Sequence, residues 1–226
     1  MIARAASSLS DILCDQQGIV FGDTHTHPEI YHYLSRCMKA LAESGVKVLF
    51  MEAFKDTPVQ KEWLTDFNHS SPGSMREELE SVLRMNCTAT PQLQISDYVE
   101  LIEAARENSI AIIGIEPECR DPWNRIKSSN EAWKKTIRAY LDKHPDTKYA
   151  VFCGQTHTHV ANNYFDVNGC DQAEGIDKAL GIPCVTFAPH NRNESRLIAS
   201  TLDDNTYHMA IPTTKLVTMS EKVFSR

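Results

Sequence analysis

Two well-separated stretches of the chain repeat one pattern, Phe21-Gly22-Asp23-Thr24-His25-Thr26-His27 and Cys153-Gly154-Gln155-Thr156-His157-Thr158-His159, each behind a short apolar run. Imidazoles cluster in this way where a metal has to be held or a proton moved. On an extended strand, residues i and i+2 point the same way roughly 6 to 7 Å apart, so each His-x-His could offer two ring nitrogens to one site while Thr26 and Thr158 face away. If the strand ends before the histidines, that geometry is lost. Two further apolar runs end in carboxylates, Val46 to Met51 before Glu52 and Ile110 to Ile115 before Glu116. A borderline-soft divalent ion takes three or four N/O donors at about 2.0 to 2.2 Å, and these four segments supply imidazole and carboxylate together.

Each residue also has a plainer reading. A single histidine at a strand end is usually just hydrogen-bonded, and Glu52 or Glu116 could pair with a surface cation; Glu118 could replace Glu116 as the functional member. His32, His69, His144, His190 and His208 have no matching neighbour and read as surface or packing residues, with His190 kept as a candidate because it follows the last expected strand. Cys153 lies in an apolar run and reads as a buried, inert thiol. Gly22 and Gly154 suit a sharp turn at a strand end, and neither belongs to a phosphate-binding loop.

The elements that would position these groups alternate strand and helix. Ile19 to Phe21 is β-prone. Pro28 then opens a helix with Ile30, Leu34, Met38 and Leu41 at helical spacing, and Gly45 ends it. Residues 57–89 read as an inserted helical hairpin, with Trp63, Leu64 and Phe67 on one helix, a break at Ser70-Ser71-Pro72-Gly73, and a second helix from Met75 to Met85; it could form a lid or one wall of the site. Ser96 is a plausible N-cap for a helix to Asn108, and Asn130 for one carrying Trp133, Ile137, Tyr140 and Leu141. Tyr149 to Cys153 delivers the second histidine pair. A loop over 162–172, a helix over Ala173 to Leu180, a strand over Pro183 to Phe187 and an edge strand near Tyr207 to Ile211 complete the pattern. This order predicts an α/β fold with a mostly parallel central sheet, whose ligand site lies beyond the carboxyl ends of its strands. The expected organisation is one domain over 1–226, with its core at about 19–212.

Composition narrows the classes. With 30 acidic and 23 basic residues the net charge is −7, against a nucleic-acid surface. Seven cysteines without a CxxC pair argue against a disulfide framework and for a reducing, cytoplasmic compartment. The apolar runs are far shorter than the ~20 residues of a membrane span, and residues 1–15 lack the apolar stretch of a secretory signal.

On Gly22-Asp23-Thr24-His25, Leu49-Phe50-Met51-Glu52, Gly114-Ile115-Glu116 and Gly154-Gln155-Thr156-His157, the chain resembles the superfamily that joins the Tiki metalloproteases, the erythromycin-esterase-like hydrolases and the ChaN-like haem-binding lipoproteins. That fold also occurs as a domain in large bacterial toxins. The resemblance covers roughly Ile19 to Phe187, and Asp23 stands where many relatives carry Glu. It implies an α/β fold with its site at the two GxxH motifs, and different chemistries in different branches. The Asp-x-His-x-His string also resembles the opening of amidohydrolase-type metal barrels, which the second motif and the chain length fit less well.

The expectation is a hydrolase of an amide or ester, with a small-molecule or peptide substrate. His25, Glu116 and His157 would hold a divalent ion (zinc, manganese or cobalt), Glu52 or Asp23 would accept a proton, and His27 and His159 would orient ligands or bind the developing oxyanion. The alternatives are a metal-free enzyme with His25 as base assisted by Asp23 or Glu52, and a non-enzymatic domain that binds haem or serves as a scaffold in a toxin-like effector delivered to a host cytosol.

Overall fold

The computed structural model describes residues 8–87, 94–119, 124–160, 173–190, 196–199 and 205–212. In chain order the elements are α1 (Leu9–Leu13), β1 (Gly18–Asp23), α2 (Pro28–Glu43), β2 (Val46–Lys55), α3 (Pro58–His69), α4 (Arg76–Asn86), α5 (Ile95–Glu107), β3 (Ala111–Glu116), α6 (Arg125–Leu141), β4 (Lys148–Gly154), a 3₁₀ turn (Gln155–His157), α7 (Ile176–Leu180), β5 (Cys184–His190), β6 (Arg196–Ala199) and β7 (Thr206–Pro212). The seven strands form one sheet in the order β3-β2-β4-β1-β5-β7-β6. Every pairing is parallel except β6 with β7. The predicted α/β class with a mostly parallel sheet is what the chain adopts.

Strand alternation sends each side chain to one of two apolar layers. Ile19 and Phe21 of β1 and Ala150 and Phe152 of β4 face the layer built with α1 to α5. Val20, Tyr149, Val151 and Cys153 face Trp133 and Ile137 of α6 and Ile176 of α7. The expected apolar stripe of α2 is buried in full, with Ile30, Leu34, Met38 and Leu41 all packed inward.

The helical hairpin of α3 and α4 is present, but its place differs from a lid. The Asn68 amide donates to the Ile112 carbonyl at 2.9 Å and accepts from the Ile112 N–H at 2.9 Å, so it satisfies the outward backbone of β3 at the sheet edge. Arg106 of α5 lies over the Phe67 ring and donates to Ser70 and Ser71. The hairpin therefore closes the edge farthest from β6.

Three local expectations are corrected. The α5 helix begins one residue before Ser96, with the Gln94 N–H donating to Asp97 Oδ2 at 2.8 Å. Asn130 is inside α6 rather than at its start. The tail strand β7 is internal because β6, which the sequence pattern did not reveal, covers it. The loop expected over 162–172 lies outside the described residues.

Candidate active site

Both strands that carry the repeated motif stop short of its histidines: β1 ends at Asp23 and β4 at Gly154. The i, i+2 geometry is thereby lost, and the four imidazoles go to different places. His25 sits in left-handed backbone (φ 56), a conformation rare for a residue with a Cβ and typical of functional turns. That turn folds its ring back over the strand end. Its Nδ1 donates to Asp23 Oδ2 at 2.8 Å, and the Tyr31 hydroxyl donates to the same oxygen at 2.5 Å. Asp23 is 1% exposed, and its second oxygen has no protein hydrogen-bond partner.

With Nδ1 held in this way, Nε2 is the nitrogen presented outward, and Glu52 Oε1 lies 3.7 Å from it. Glu52 is positioned by an irregularity in β2. Pairing with β3 jumps from Met51↔Gly114 to Lys55↔Glu116, a bulge that re-aims the residues within it. Just past the last β2–β4 pair, the Gly154 N–H donates to Glu52 Oε2 at 2.6 Å. Gly154 has to be glycine for this packing, since a Cβ there would stand 2.8 Å from His25 Nε2 and 3.5 Å from Glu52 Oε2.

The electrostatics of the pair run in opposite directions. Burial alone would discharge the His25 imidazolium, but the hydrogen bonds and charges of Asp23 and Glu52 outweigh it and push its pKa up to about 10. At 3.7 Å Glu52 makes an ion contact rather than a tight hydrogen bond, so the 2.8 Å bond to Asp23 carries the larger share. For Glu52, burial would raise the pKa; the contact with the His25 ring, the fields of His157 and His25, and the Gly154 N–H bring it down to about 2. At neutral pH the site holds an imidazolium facing a carboxylate.

His157 closes the 3₁₀ turn and is 2% exposed. Asn130 Nδ2 donates to the carbonyls of His157 and Glu174 at 3.1 and 2.9 Å, which fixes its Oδ1 as the acceptor for His157 Nδ1–H at 2.8 Å. The lone pair of a neutral His157 is then on Nε2. The ring lies against Trp133, with centroids 4.2 Å apart.

The other expected residues are placed elsewhere. His27 is half-buried at the N-cap position of α2 and does not line the cavity. His159 turns to Asp177. Glu116 is buried at the end of β3, three strands from β1, or roughly 14 Å at sheet spacing. The donor atoms of His25, Glu116 and His157 do not all come within 4.8 Å of one another, so this trio does not form a metal-sized cluster. Glu118 is exposed, and the side chain of His190 lies outside the described residues. Burial pushes the Cys153 thiol well up, in keeping with an inert residue.

A cavity of about 440 Å³ opens over His25 at the carboxyl ends of β1 and β4, against the middle of β5 and β7, which run on past it. Asp23, His25 and Gly154 line it on one side, and Val160, Phe187 and His208 on the other. No residue of the α3–α4 hairpin contributes, which corrects the expectation of a wall built from 57–89. His208 Nδ1 lies 2.6 Å from Thr186 Oγ1, and burial lowers its pKa. Tyr31, Asn130 and His208 were not marked as site residues by the sequence. Tyr31 sits in an ordinary helical stripe, Asn130 looks like a cap, and His208 has no neighbour of matching type; only the fold brings them in.

This architecture is shared with domains of bacterial toxins and effectors. The chain is similar to the type III effector HopBA1 over 91% of both chains, at 18% identity and a TM-score of 0.60. It is also similar to RRSP, an effector domain of a MARTX toxin from Vibrio vulnificus CMCP6 (16% identity, TM-score 0.57, 96% of this chain and 42% of that one). A third likeness is to the C-terminal region of Pasteurella multocida toxin, whose structure reveals a thiol-protease-like catalytic triad (14% identity, TM-score 0.52, 93% of this chain and 27% of that one). At such identities the likeness is one of fold. No family model and no curated protein sequence matches the chain.

Proposed function

We propose that the chain is an effector-type hydrolase domain that cleaves an amide or ester without a metal in the reaction, using His25 and Glu52 as an acid/base pair. The observation that carries this reading is geometric: His25 lines the cavity with its Nδ1 held by Asp23, and Glu52 Oε1 stands 3.7 Å from its Nε2. Where environments push two pKa values apart, the acid and base roles divide accordingly. Glu52 takes a proton from a water that attacks the substrate carbonyl. The His25 Nε2–H binds the oxygen on which charge develops, and the proton on Glu52 passes to the departing amine or alcohol. Asp23, clamped by Tyr31, holds the His25 tautomer and its charge. The twin GxxH resemblance to erythromycin-esterase-like hydrolases supports this chemistry, and the toxin and effector neighbours support a setting in which the domain acts in a host cytosol.

The test is a panel of esters and peptides assayed with Glu52→Gln, His25→Ala and the double variant. Each single change should lower kcat/KM by about 10²- to 10⁴-fold, and the double should be little worse than either, because the pair acts as a unit. Wild-type rates in either single variant would refute the reading. Activity lost on chelation and restored by added zinc, manganese or cobalt only while His25 is intact would favour the metal-dependent alternative of the Tiki type.

A further inference from the structure

Behind the active site, a second group of side chains has no part in this chemistry. His159 follows the 3₁₀ turn, Asp177 lies in the first turn of α7, and Cys184 opens β5. One donor atom from each lies within 4.8 Å of the other two, and no other trio of His, Cys, Asp or Glu does so among the described residues. The imidazole is oriented from both sides. Asp177 receives its Nδ1–H on Oδ2 and the His159 backbone N–H on Oδ1 at 2.9 Å, and Thr206 Oγ1 stands 3.0 Å from Nε2.

We propose that His159, Asp177 and Cys184 bind a borderline-soft divalent cation, zinc in the cell, as a structural site separate from His25 and Glu52. The donor set decides the class of ion: imidazole, carboxylate and thiolate suit zinc, whereas magnesium and calcium take oxygen. Ligand bonds of about 2.0 to 2.3 Å in a tetrahedron set donors roughly 3.3 to 3.8 Å apart; the ion would take the place of the proton now held between His159 Nδ1 and Asp177 Oδ2, and those two atoms would part by about 1 Å to admit it beside Cys184.

Burial argues in the same direction. Cys184 is 0% and Asp177 1% exposed, which leaves the thiol no access to a substrate. The backbone is shaped for this approach: a Cβ on Gly175 would stand 2.1 Å from the His159 nitrogen and 2.7 Å from Asp177 Oδ1, so only glycine lets α7 meet the His159 segment here. An ion at this point would tie the chain leaving the His157 turn to α7 and to β5.

Cobalt titration of chelator-stripped, reduced full chain tests the site. The wild type should take up one equivalent with a thiolate-to-cobalt charge-transfer band and strong tetrahedral d–d absorption. Cys184→Ser should lose the charge-transfer band, and Asp177→Asn should weaken binding at least tenfold. His25→Ala and Glu52→Gln should keep both features, which separates this result from any outcome at the active site. Absence of the band in the wild type, its survival in Cys184→Ser, unchanged affinity in Asp177→Asn, or its loss in Glu52→Gln would each overturn the proposal. Should circular dichroism show Cys184→Ser unfolded, His159→Gln takes its place, with a tenfold weakening expected and unchanged affinity as the refuting result.

Discussion

Replacing Glu52 with Gln preserves the side chain's shape and removes the charge opposite His25, so it isolates the term on which the acid/base assignment depends. Two unit charges at the observed 3.7 Å interact by about 4 kcal/mol at an effective dielectric near 20. The His25 side chain is 33% exposed, and solvent screening reduces this to about 2 kcal/mol. At 1.36 kcal/mol per pH unit, the midpoint of His25 should fall by roughly 1.5, from about 10 in the wild type. Long-range ¹H–¹⁵N correlation spectra across pH read both ring nitrogens directly. They should also show Nδ1 protonated throughout, because Asp23 holds it. A wild-type midpoint near 6.5, or one that does not move in Glu52→Gln, would refute the charged pair and the roles built on it.

The same substitution has a signature in stability. The folded pKa of Glu52, about 2, lies below its ordinary value of 4.5, so its stabilisation is present above pH 4.5 and is lost as pH falls toward 2. His25 is raised from 6.5 to about 10, so its contribution is complete below pH 6.5 and disappears as pH rises through 10. The two are jointly complete between pH 4.5 and 6.5. Glu52→Gln should remove the acid limb that belongs to Glu52 and shorten the alkaline one, as measured by urea unfolding at stepped pH.

Three further outcomes are expected. Gly154→Ala should lower kcat/KM by about 100-fold or more, because its Cβ would stand 2.8 Å from His25 Nε2 and reactive geometry tolerates little displacement; its φ of −59° and ψ of 138° accept alanine, so the loss of stability should be confined to the overpacked contact, about 1 to 3 kcal/mol in denaturant unfolding. Asn130→Ala strips a buried acceptor from His157 Nδ1 and a donor from two carbonyls; it should cost about 1 to 3 kcal/mol in denaturant unfolding and change the His157 tautomer seen by ¹⁵N shifts. Asn68→Ala uncovers both backbone groups of Ile112 and should cost a similar amount, raise aggregation by light scattering, and leave kcat/KM unchanged.

Much of this molecule was legible in the sequence because hydrophobic periodicity and turn residues act locally. The α2 stripe from Ile30 to Leu41, the hairpin break at Ser70 to Gly73 and the strand after Gly45 all follow from spacing alone. The sheet order does not. It depends on which strand each helix crosses, and it sends Glu116 to an edge while drawing Glu52 beside Gly154. Nor could Asn130 be distinguished from a cap, since its hydrogen-bonding partners lie in segments distant in sequence.

The repeated motif shows where pattern and geometry part. β1 and β4 are neighbours, yet their register pairs Asp23 with Gly154, whereas the motif aligns Gly22 with Gly154. The two copies are therefore staggered by one residue, and on a pleated sheet one residue exchanges the faces. Asp23 remains in its strand and points into the layer of Tyr31, while its counterpart Gln155 has already begun the 3₁₀ turn. Identical strings thus give a histidine turned back over a strand end and a histidine packed against Trp133. The second member of each pair departs further, His27 to a helix start and His159 to Asp177. Two copies in register would have presented like groups to each other; the stagger instead sets an imidazolium held by one copy against a carboxylate held by the backbone of the other, an arrangement able to donate and accept a proton at one point.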